Sequence, residues 1–333
     1  LQDLARYHRL QLGVPIFALT GSNGKTTTKE LLNAVLQQKF SCQSTQGNLN
    51  NHIGVPLTLL SVRPEHEFGV VEMGANHIGE IEMLCDIAMP DFGLITNFGR
   101  VHLEGFGSFE GVIQGKTEMY RFLRAHNSVV FVNAADPLQV EHADGIKQVT
   151  FGTEEADFPS QMIGADPFVE LTYPGNHIKS NLIGAYNYNN IALATAAGRY
   201  FEVGDHLIKK AIENYVPSNN RSQIIVKDSN KIILDAYNAN PNSMEAAILN
   251  FANLSDNNKV AILGDMFEVG DGSHQEHQHI DELLHENGIE QAMLIGEHFN
   301  AITVSSEKFL QFKTFQDFQE YFETLKIQDT TFL

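Results

Sequence analysis

An apolar run at residues 14–19 stops at Thr20 and gives way to Gly21, Ser22, Asn23, Gly24, Lys25 and three threonines, Thr26, Thr27 and Thr28. Leu31, Leu32, Val35 and Leu36 then recur at the spacing of one helix face. Strand, glycine loop, lysine, hydroxyl, helix is how a chain holds a polyphosphate. The glycines let the backbone approach an anion, and N–H groups of the helix's first turn point at it. Lys25 adds a point charge and Thr26 a hydroxyl for Mg²⁺. The common G-x-x-x-x-G-K-[ST] form is shortened here, because the position five before Gly24 is Leu19. The same residues can make a strand-to-helix turn with no ligand. The strand before and the helix after favour the phosphate reading.

The charge balance narrows the partners. With 22 basic against 41 acidic residues the net charge is −19, which speaks against nucleic acid, since a phosphate backbone wants a basic face. A nucleotide is still acceptable, its charge being met locally. The 333 residues suffice for two or three domains. No run approaches the ~20 apolar residues of a membrane span, and no basic-then-apolar leader is visible. Cys42 and Cys85 stand far apart, so neither a disulfide framework nor a cysteine metal site is expected, and a reducing cytoplasm fits. The chain opens on Leu rather than Met and stops at residues 330–333 in what reads as mid-strand. The expectation is a piece of a longer protein, or trimmed ends.

Residues 40–45 read as a second strand, and apolar runs at 68–73, 92–97 and 128–133 alternate with helical stretches. Each is short and nearly continuously apolar, as strands buried on both faces of a parallel sheet should be. The expected fold is α/β, a doubly wound, mostly parallel sheet whose ligands sit at the carboxyl ends of strands. The polar residues at those ends are Glu72, Thr96, Asn97 and, just beyond, His102. Residues 157–183 read as a small β excursion, 187–200 and 205–215 as helices, and 217–220 as a linker. A hairpin is expected at 223–226 and 231–234. Helices at 243–254, 273–287 and 315–325 then alternate with strands at 260–264 and 292–295. This gives a first domain over 1–216 and a second, smaller α/β domain over 217–333, incomplete at its end.

Several polar groups carry possible chemistry. Glu72 can reach a Mg²⁺ held by Thr26 or be a surface carboxylate, although a charge ending a buried strand needs a partner. Asn48, Asn50 and Asn51 make a poor strand and a poor helix; a binding loop and an Asx-rich turn both remain open. His102 and Lys116 are unremarkable alone. Arg221 precedes the hairpin, and Asp235 opens a polar cluster running through Tyr237, Asn238 and Asn240 to Pro241. His274, His277 and His279 invite a zinc reading, but closed zinc sites need four ligands. A solvated helix is the expectation there.

Taken in order, residues 20–28 (TGSNGKTTT), 45–60 (TQGNLNNHIGVPLTLL), 71–76 (VEMGAN), 95–107 (ITNFGRVHLEGFG), 184–190 (GAYNYNN), 235–241 (DAYNANP) and 263–270 (LGDMFEVG) resemble the Mur ligase superfamily, the ATP-dependent amide ligases of peptidoglycan precursor synthesis. The resemblance implies a P-loop-type central domain and a Rossmann-like C-terminal one, closing on each other to complete the site. It implies a nucleotide site of Gly21, Ser22, Asn23, Gly24, Lys25, Thr26, Thr27 and Asn97, with Asn187 and Asn190 at the adenosine, Arg221 at the γ-phosphate and Asp235 at the ribose. Thr26 and Glu72 would hold one Mg²⁺, and His102 and Lys116 a second. Lysine is a cation and repels metal, so Lys116 would act as its carbamate. Asn48, Asn50, Asn51, Tyr237, Asn238 and Asn240 would meet substrate. Lys25, Lys116, His102 and Arg221 would carry catalysis.

The implied reaction joins D-alanyl-D-alanine to the terminal carboxylate of a UDP-N-acetylmuramoyl-tripeptide through an acyl phosphate. The expected protein is a cytoplasmic monomer with small-molecule partners, no nucleic acid and no membrane. Two departures stand out. Tyr186 occupies a position that is often His in the family, and nothing before Leu1 supplies the family's N-terminal domain of about a hundred residues. If the chain is all there is, it should bind nucleotide but ligate poorly. The competing readings are another Mur-type ligase, a folylpolyglutamate synthase, or a nucleotide-binding scaffold. Retention of Glu72, His102, Lys116, Arg221 and Asp235 argues against the scaffold.

Overall fold

Each strand of the first sheet sends alternate side chains to opposite faces, and both faces are buried. Along Ile16–Thr20 (β1), Ile16 and Ala18 join one apolar cluster with Val71, Ile95, Val130 and Val132. Phe17 and Leu19 join another with Val70, Leu94 and Phe131. This period of two, with a core on each side, explains why the sequence shows unbroken apolar runs rather than alternation.

The computed structural model describes residues 1–218 and 220–333; Asn219, inside the 217–220 linker expected from sequence, lies outside the described residues. The chain forms two compact units. The first comprises Leu1–Gly164, Val169–Asn181 and Tyr186–Tyr215; the second comprises Ala165–Phe168, Leu182–Ala185 and Val216–Leu333.

In the first unit, β1, β2 (Cys42–Ser44), β3 (Phe68–Glu72), β4 (Phe92–Ile95), β5 (Val129–Asn133) and β6 (Lys147–Phe151) form a sheet in the order β2-β3-β1-β4-β5-β6. All its pairings are parallel. The order reverses beside β1, whose neighbours are β3 and β4. That is the switch point where an open α/β sheet leaves a crevice at its carboxyl edge. Helices α1 (Gln2–Leu12), α2 (Lys25–Leu36), α3 (Gly54–Ser61), α4 (Glu80–Ala88), α5 (Leu103–Phe106), α6 (Phe109–Lys116), α7 (Glu118–Ala125), α8 (Pro137–His142), α9 (Tyr188–Tyr200) and α10 (Asp205–Asn214) complete it. α2 buries Leu31, Leu32, Val35 and Leu36, each such burial being worth ~1.5–3 kcal/mol. β7 (Gln161–Ala165), β8 (Phe168–Tyr173) and β9 (Asn176–Ile183) form a small sheet, the β excursion expected from sequence.

The second unit holds a sheet in the order β10-β11-β15-β12-β13-β14. Its strands are β10 (Gln223–Lys227), β11 (Asn230–Leu234), β12 (Lys259–Gly264), β13 (Gln291–Ile295), β14 (Phe309–Phe312) and β15 (Thr331–Phe332). Only the β10–β11 hairpin is antiparallel. Helices α11 (Pro241–Asn253), α12 (Ser273–Glu286), α13 (Glu297–Asn300) and α14 (Phe315–Phe322) cover it. The doubly wound α/β reading holds, while β6, β14 and α8 were not anticipated. α8 is short, but Asp136 caps it by accepting from the Leu138 and Gln139 N–H groups, with Pro137 opening the helix. Among the described residues no helix is long and apolar enough to cross a membrane.

Candidate nucleotide site

The loop after β1 is held from the side by the segment after β4. The Ser22 N–H donates to the Asn97 carbonyl (3.1 Å) and the Asn23 N–H to Asn97 Oδ1 (2.9 Å). The Thr96 hydroxyl donates to the Asn23 carbonyl (2.6 Å), and Ser22 Oγ exchanges hydrogen bonds with Gly99 N and O. Gly21 sits at φ 145, and a Cβ there would overlap the Thr96 hydroxyl; only glycine lets the two segments close up. Gly24 starts α2 with no side-chain cap, leaving the first-turn N–H groups for a ligand or solvent. Lys25 Nζ donates to the carbonyls of Gly21 (2.7 Å) and Ser22 (3.0 Å), folding the ammonium back over the loop mouth.

Glu72 ends β3 beside this loop and is almost wholly buried. Its main-chain N–H donates to Thr45 Oγ1 (3.0 Å), and Thr45 is itself pinned through its carbonyl by buried Lys29 (2.9 Å). Glu72 Oε1 accepts from the Asn50 side-chain amide (2.8 Å) and, at a long 3.4 Å, from the Thr26 hydroxyl. Glu72 Oε2 has no hydrogen-bond partner among the described residues. A buried acceptor of this kind is costly to leave unsatisfied. A divalent cation would satisfy it, and the donor set of one carboxylate, one hydroxyl and the oxygens of a bound phosphate suits Mg²⁺. Among the described residues no three His, Cys, Asp or Glu side chains gather into an all-protein metal cage.

His102 lies at φ 50 as the residue preceding α5. Lys116 ends α6 and is 1% exposed. Its Nζ makes one long contact to the Ala75 carbonyl (3.4 Å) and lies 5.3 Å from the centre of the Phe106 ring. Burial, and secondarily the Lys25 charge, hold its pKa well below the usual lysine range. The amine is therefore driven towards the neutral, nucleophilic form. Buried Glu118 accepts from the N–H groups of Gly79 (2.6 Å) and Glu82 (2.9 Å) and so clamps the start of α4. Sequence reading passed over Glu118, Thr45 and Lys29, because a carboxylate capping another helix, a strand-end hydroxyl and a helical lysine carry no local signature.

The adenosine candidates Asn187 and Asn190 are both buried. Asn190 Oδ1 accepts from the Thr28 hydroxyl (2.9 Å) and its amide donates to Asn187 Oδ1 (2.8 Å), which fastens α9 to the first turn of α2. Among the three loop asparagines, Asn48 is exposed, whereas Asn50 holds Glu72. Asn51 Oδ1 accepts from the N–H groups of Ile53 and Gly54, both at 3.0 Å, at the start of α3. An Asx turn accounts for Asn51.

In the second unit the Arg221 guanidinium lies 3.7 Å from the centre of the Tyr237 ring, a close cation–π stack. Arg221 Nε is buried without a hydrogen-bond partner among the described residues. Asp235 and Asn238 are exposed. Asn240 is the N-cap of α11 in a reciprocal capping box with Ser243, a local task its sequence position does not reveal. The expected solvated helix needs correcting at His277, which is 0% exposed. Its Nε2 accepts from Met266 N (3.0 Å) and its Nδ1 faces the Ser273 carbonyl at 2.7 Å. α12 turns His277, Ile280, Asp281, Leu283 and Leu284 inward, and His277 ties Met266 of the 263–270 segment to it.

Residues 19–198 match the Mur ligase middle domain and residues 220–329 the glutamate ligase domain of Mur ligases. The UDP-N-acetylmuramoyl-tripeptide–D-alanyl-D-alanine ligase of Bacillus subtilis is 34% identical over 89% of this chain and 66% of its own length. The Escherichia coli enzyme of the same name is 34% identical over 91% and 69%. The chain thus spans about two thirds of the length of these curated relatives. Among solved structures, MurF from Acinetobacter baumannii superposes with a TM-score of 0.89 at 32% identity, covering 100% of this chain and 76% of that one. Thermotoga maritima MurF in complex with ADP gives 0.86 at 27%, covering 99% and 79%. On this sequence and structural likeness the chain belongs to the Mur ligase family.

Proposed function

We propose that this chain is the catalytic part of an ATP-dependent, ADP-forming ligase that joins D-alanyl-D-alanine to the terminal carboxylate of UDP-N-acetylmuramoyl-tripeptide in peptidoglycan precursor synthesis. The observation that carries the reading is the buried, unpartnered Glu72 oxygen set beside Thr26 at the mouth of the Gly21–Lys25 loop. The names of the relatives supply the substrate class, and the ADP-bound neighbour supports the nucleotide. The cytoplasm, where ATP is available, is the compartment the reading implies.

The tripeptide carboxylate attacks the γ-phosphorus, giving an acyl phosphate and ADP. The amine of D-alanyl-D-alanine then attacks the acyl carbon, and inorganic phosphate leaves. No protein nucleophile takes part, so positioning and charge neutralisation supply the rate. Lys25 exchanges the Gly21 and Ser22 carbonyls for β/γ-phosphate oxygens. The N–H groups at the start of α2 receive phosphate oxygens. Thr26 and Glu72 would hold one Mg²⁺, and His102 with the Lys116 carbamate a second; the cations would neutralise phosphate charge when bound. Burial favours the neutral Lys116 amine, which can add carbon dioxide and release a proton, and a cation would offset the charge of the buried carbamate. Asn187 and Asn190 are assigned to the adenosine side, Arg221 to the γ-phosphate and Asp235 to the ribose. Asn48, Tyr237 and Asn238 remain substrate candidates.

The test is ADP release by the full-length gene product. Turnover should need both UDP-N-acetylmuramoyl-tripeptide and D-alanyl-D-alanine. Equal turnover with a muramoyl dipeptide and a single diamino acid, or with folate and glutamate, would replace this reading by another ligase of the family. ADP or ATP binding with no turnover on any pair would leave a nucleotide-binding scaffold.

A further inference from the structure

Asn50 is placed to set the geometry of Glu72 rather than to face outward. Its side-chain amide donates to Glu72 Oε1 at 2.8 Å, and a carboxylate neighbour requires the NH₂ edge to point there. Its carbonyl accepts from Gly74 N at 2.8 Å. The fit is tight at Gly74, where a Cβ would lie 3.0 Å from Asn50 Cγ and would press on the side chain. The asparagine is therefore gripped at both ends, by the carboxylate ending β3 and by the residue two further on. Glu72 N is fixed independently by Thr45 Oγ1. With its backbone and Oε1 both tied, the carboxylate cannot rotate freely, and Oε2 is the oxygen left without a protein donor. The two residues before Asn50 in the loop, Asn48 and Leu49, are exposed.

We propose that Asn50 is a positioning residue for the cation site. It locks Glu72 so that Oε2 faces the cation, and it thereby makes divalent-cation affinity depend on the conformation of the 46–52 loop. The inference rests on the reading of Glu72 as a Mg²⁺ ligand and adds a residue that does not itself touch the cation. Groups that orient a metal ligand typically govern affinity by 10–100-fold. Reciprocity then requires that a cation bound at Glu72 stabilise the docked form of the loop by the same factor.

The experiment is a Mn²⁺ titration followed by electron paramagnetic resonance, on the protein saturated with ADP. The variants are Asn50→Leu, which keeps the volume and removes the donor, and Glu72→Gln. Metal-free ADP affinity and the unfolding midpoint are measured beside it. The expected result for Asn50→Leu is a loss of about tenfold in Mn²⁺ affinity, with metal-free ADP affinity within about twofold of the parent. Glu72→Gln should lose at least as much. If Asn50→Leu binds Mn²⁺ like the parent while Glu72→Gln does not, the positioning role is wrong and the Glu72 reading stands. If neither variant moves Mn²⁺ affinity, Glu72 is not a ligand and both readings fall. An equal loss with and without metal would mean that Asn50 merely supports the loop, which also overturns the inference. Should Asn50→Leu fail to fold, Asn50→Ala is read by the same criteria.

Discussion

Two buried polar clusters in this protein look alike in composition and differ in closure. Around Glu72, donors to Oε1 come from Asn50 and Thr26, and the Glu72 N–H donates to Thr45 Oγ1, yet Oε2 is left without a partner among the described residues. Around His277, both ring nitrogens meet main-chain groups. The neighbouring Asp265 accepts from the His298 (3.0 Å) and Phe299 (2.9 Å) N–H groups that open α13. The closed cluster needs nothing from outside and serves the fold. The open one leaves a buried acceptor that a cation would satisfy. Lys116 belongs with the open group, as a fully buried amine with one long contact. What distinguishes the two is closure of the hydrogen-bond network around the central side chain, since both side chains are buried.

The largest expected effect falls on the open side. Lys116→Ala should lower turnover by about a hundredfold or more, the scale seen when one preorganised electrostatic group is removed. Formate or acetate should recover part of it by restoring an anionic oxygen. The unfolding midpoint should hold or rise, because a buried amine without a good acceptor is itself costly. Ligation assays with and without the acid, beside a melt, check both halves. A stability loss without an activity loss would move Lys116 into the closed group.

Lys25→Ala should weaken ADP about a hundredfold, ~3 kcal/mol, as for hydrogen bonds to charged groups. Calorimetric titration reads it directly. Stability should change little, since the ammonium's two contacts here are to loop carbonyls that can turn to water. Unchanged ADP affinity would sink the phosphate-loop assignment.

His277→Ala should do the reverse. Losing a fully buried ring and stranding the Met266 N–H should cost about 2–4 kcal/mol. Nucleotide affinity at the loop after β1 should be unaltered. Urea unfolding and an ADP titration on one preparation decide it, and an altered ADP affinity would blur the distinction between the clusters.

How far the sequence revealed all this follows the same division. The glycine loop after β1, the strands other than β6 and β14, and Glu72 at a strand end were legible, because a strand–glycine–helix order and buried apolar runs are local patterns. Asn50 was placed with substrate, Asn240 likewise, and His277 with solvent. Asn50 and His277 depend on what another segment brings alongside: Glu72 across 22 positions and the Met266 N–H eleven residues back. Asn240 is the exception. Its capping partner Ser243 is only three residues away, but serine in place of the usual glutamate weakens the capping-box signature. β6 and β14 carry charged or polar residues at edge positions, so they lack the continuous apolar run of central strands.

The smallest expected effect tests closure by proton. Burial, the leading cause, pushes the His277 pKa below its usual value; the Ser273 carbonyl and the charges of Asp265 and Glu276 oppose this, and His298 adds to it. The unfolded ring titrates near 6.5, so below that pH the unfolded chain binds a proton that the folded one refuses. Stability is then full above the unfolded pKa and falls as pH drops through it towards the lower folded value, by at most about 1.4 kcal/mol per pH unit. A proton on Nε2 would also meet the Met266 N–H head-on. Comparing urea stability at pH 7.5 and 5.5, the parent should lose more than His277→Gln, because the other titrating groups are common to both. Identical losses would mean that the ring tolerates its proton in the fold. The His277 cluster would then be less closed than its hydrogen bonds imply.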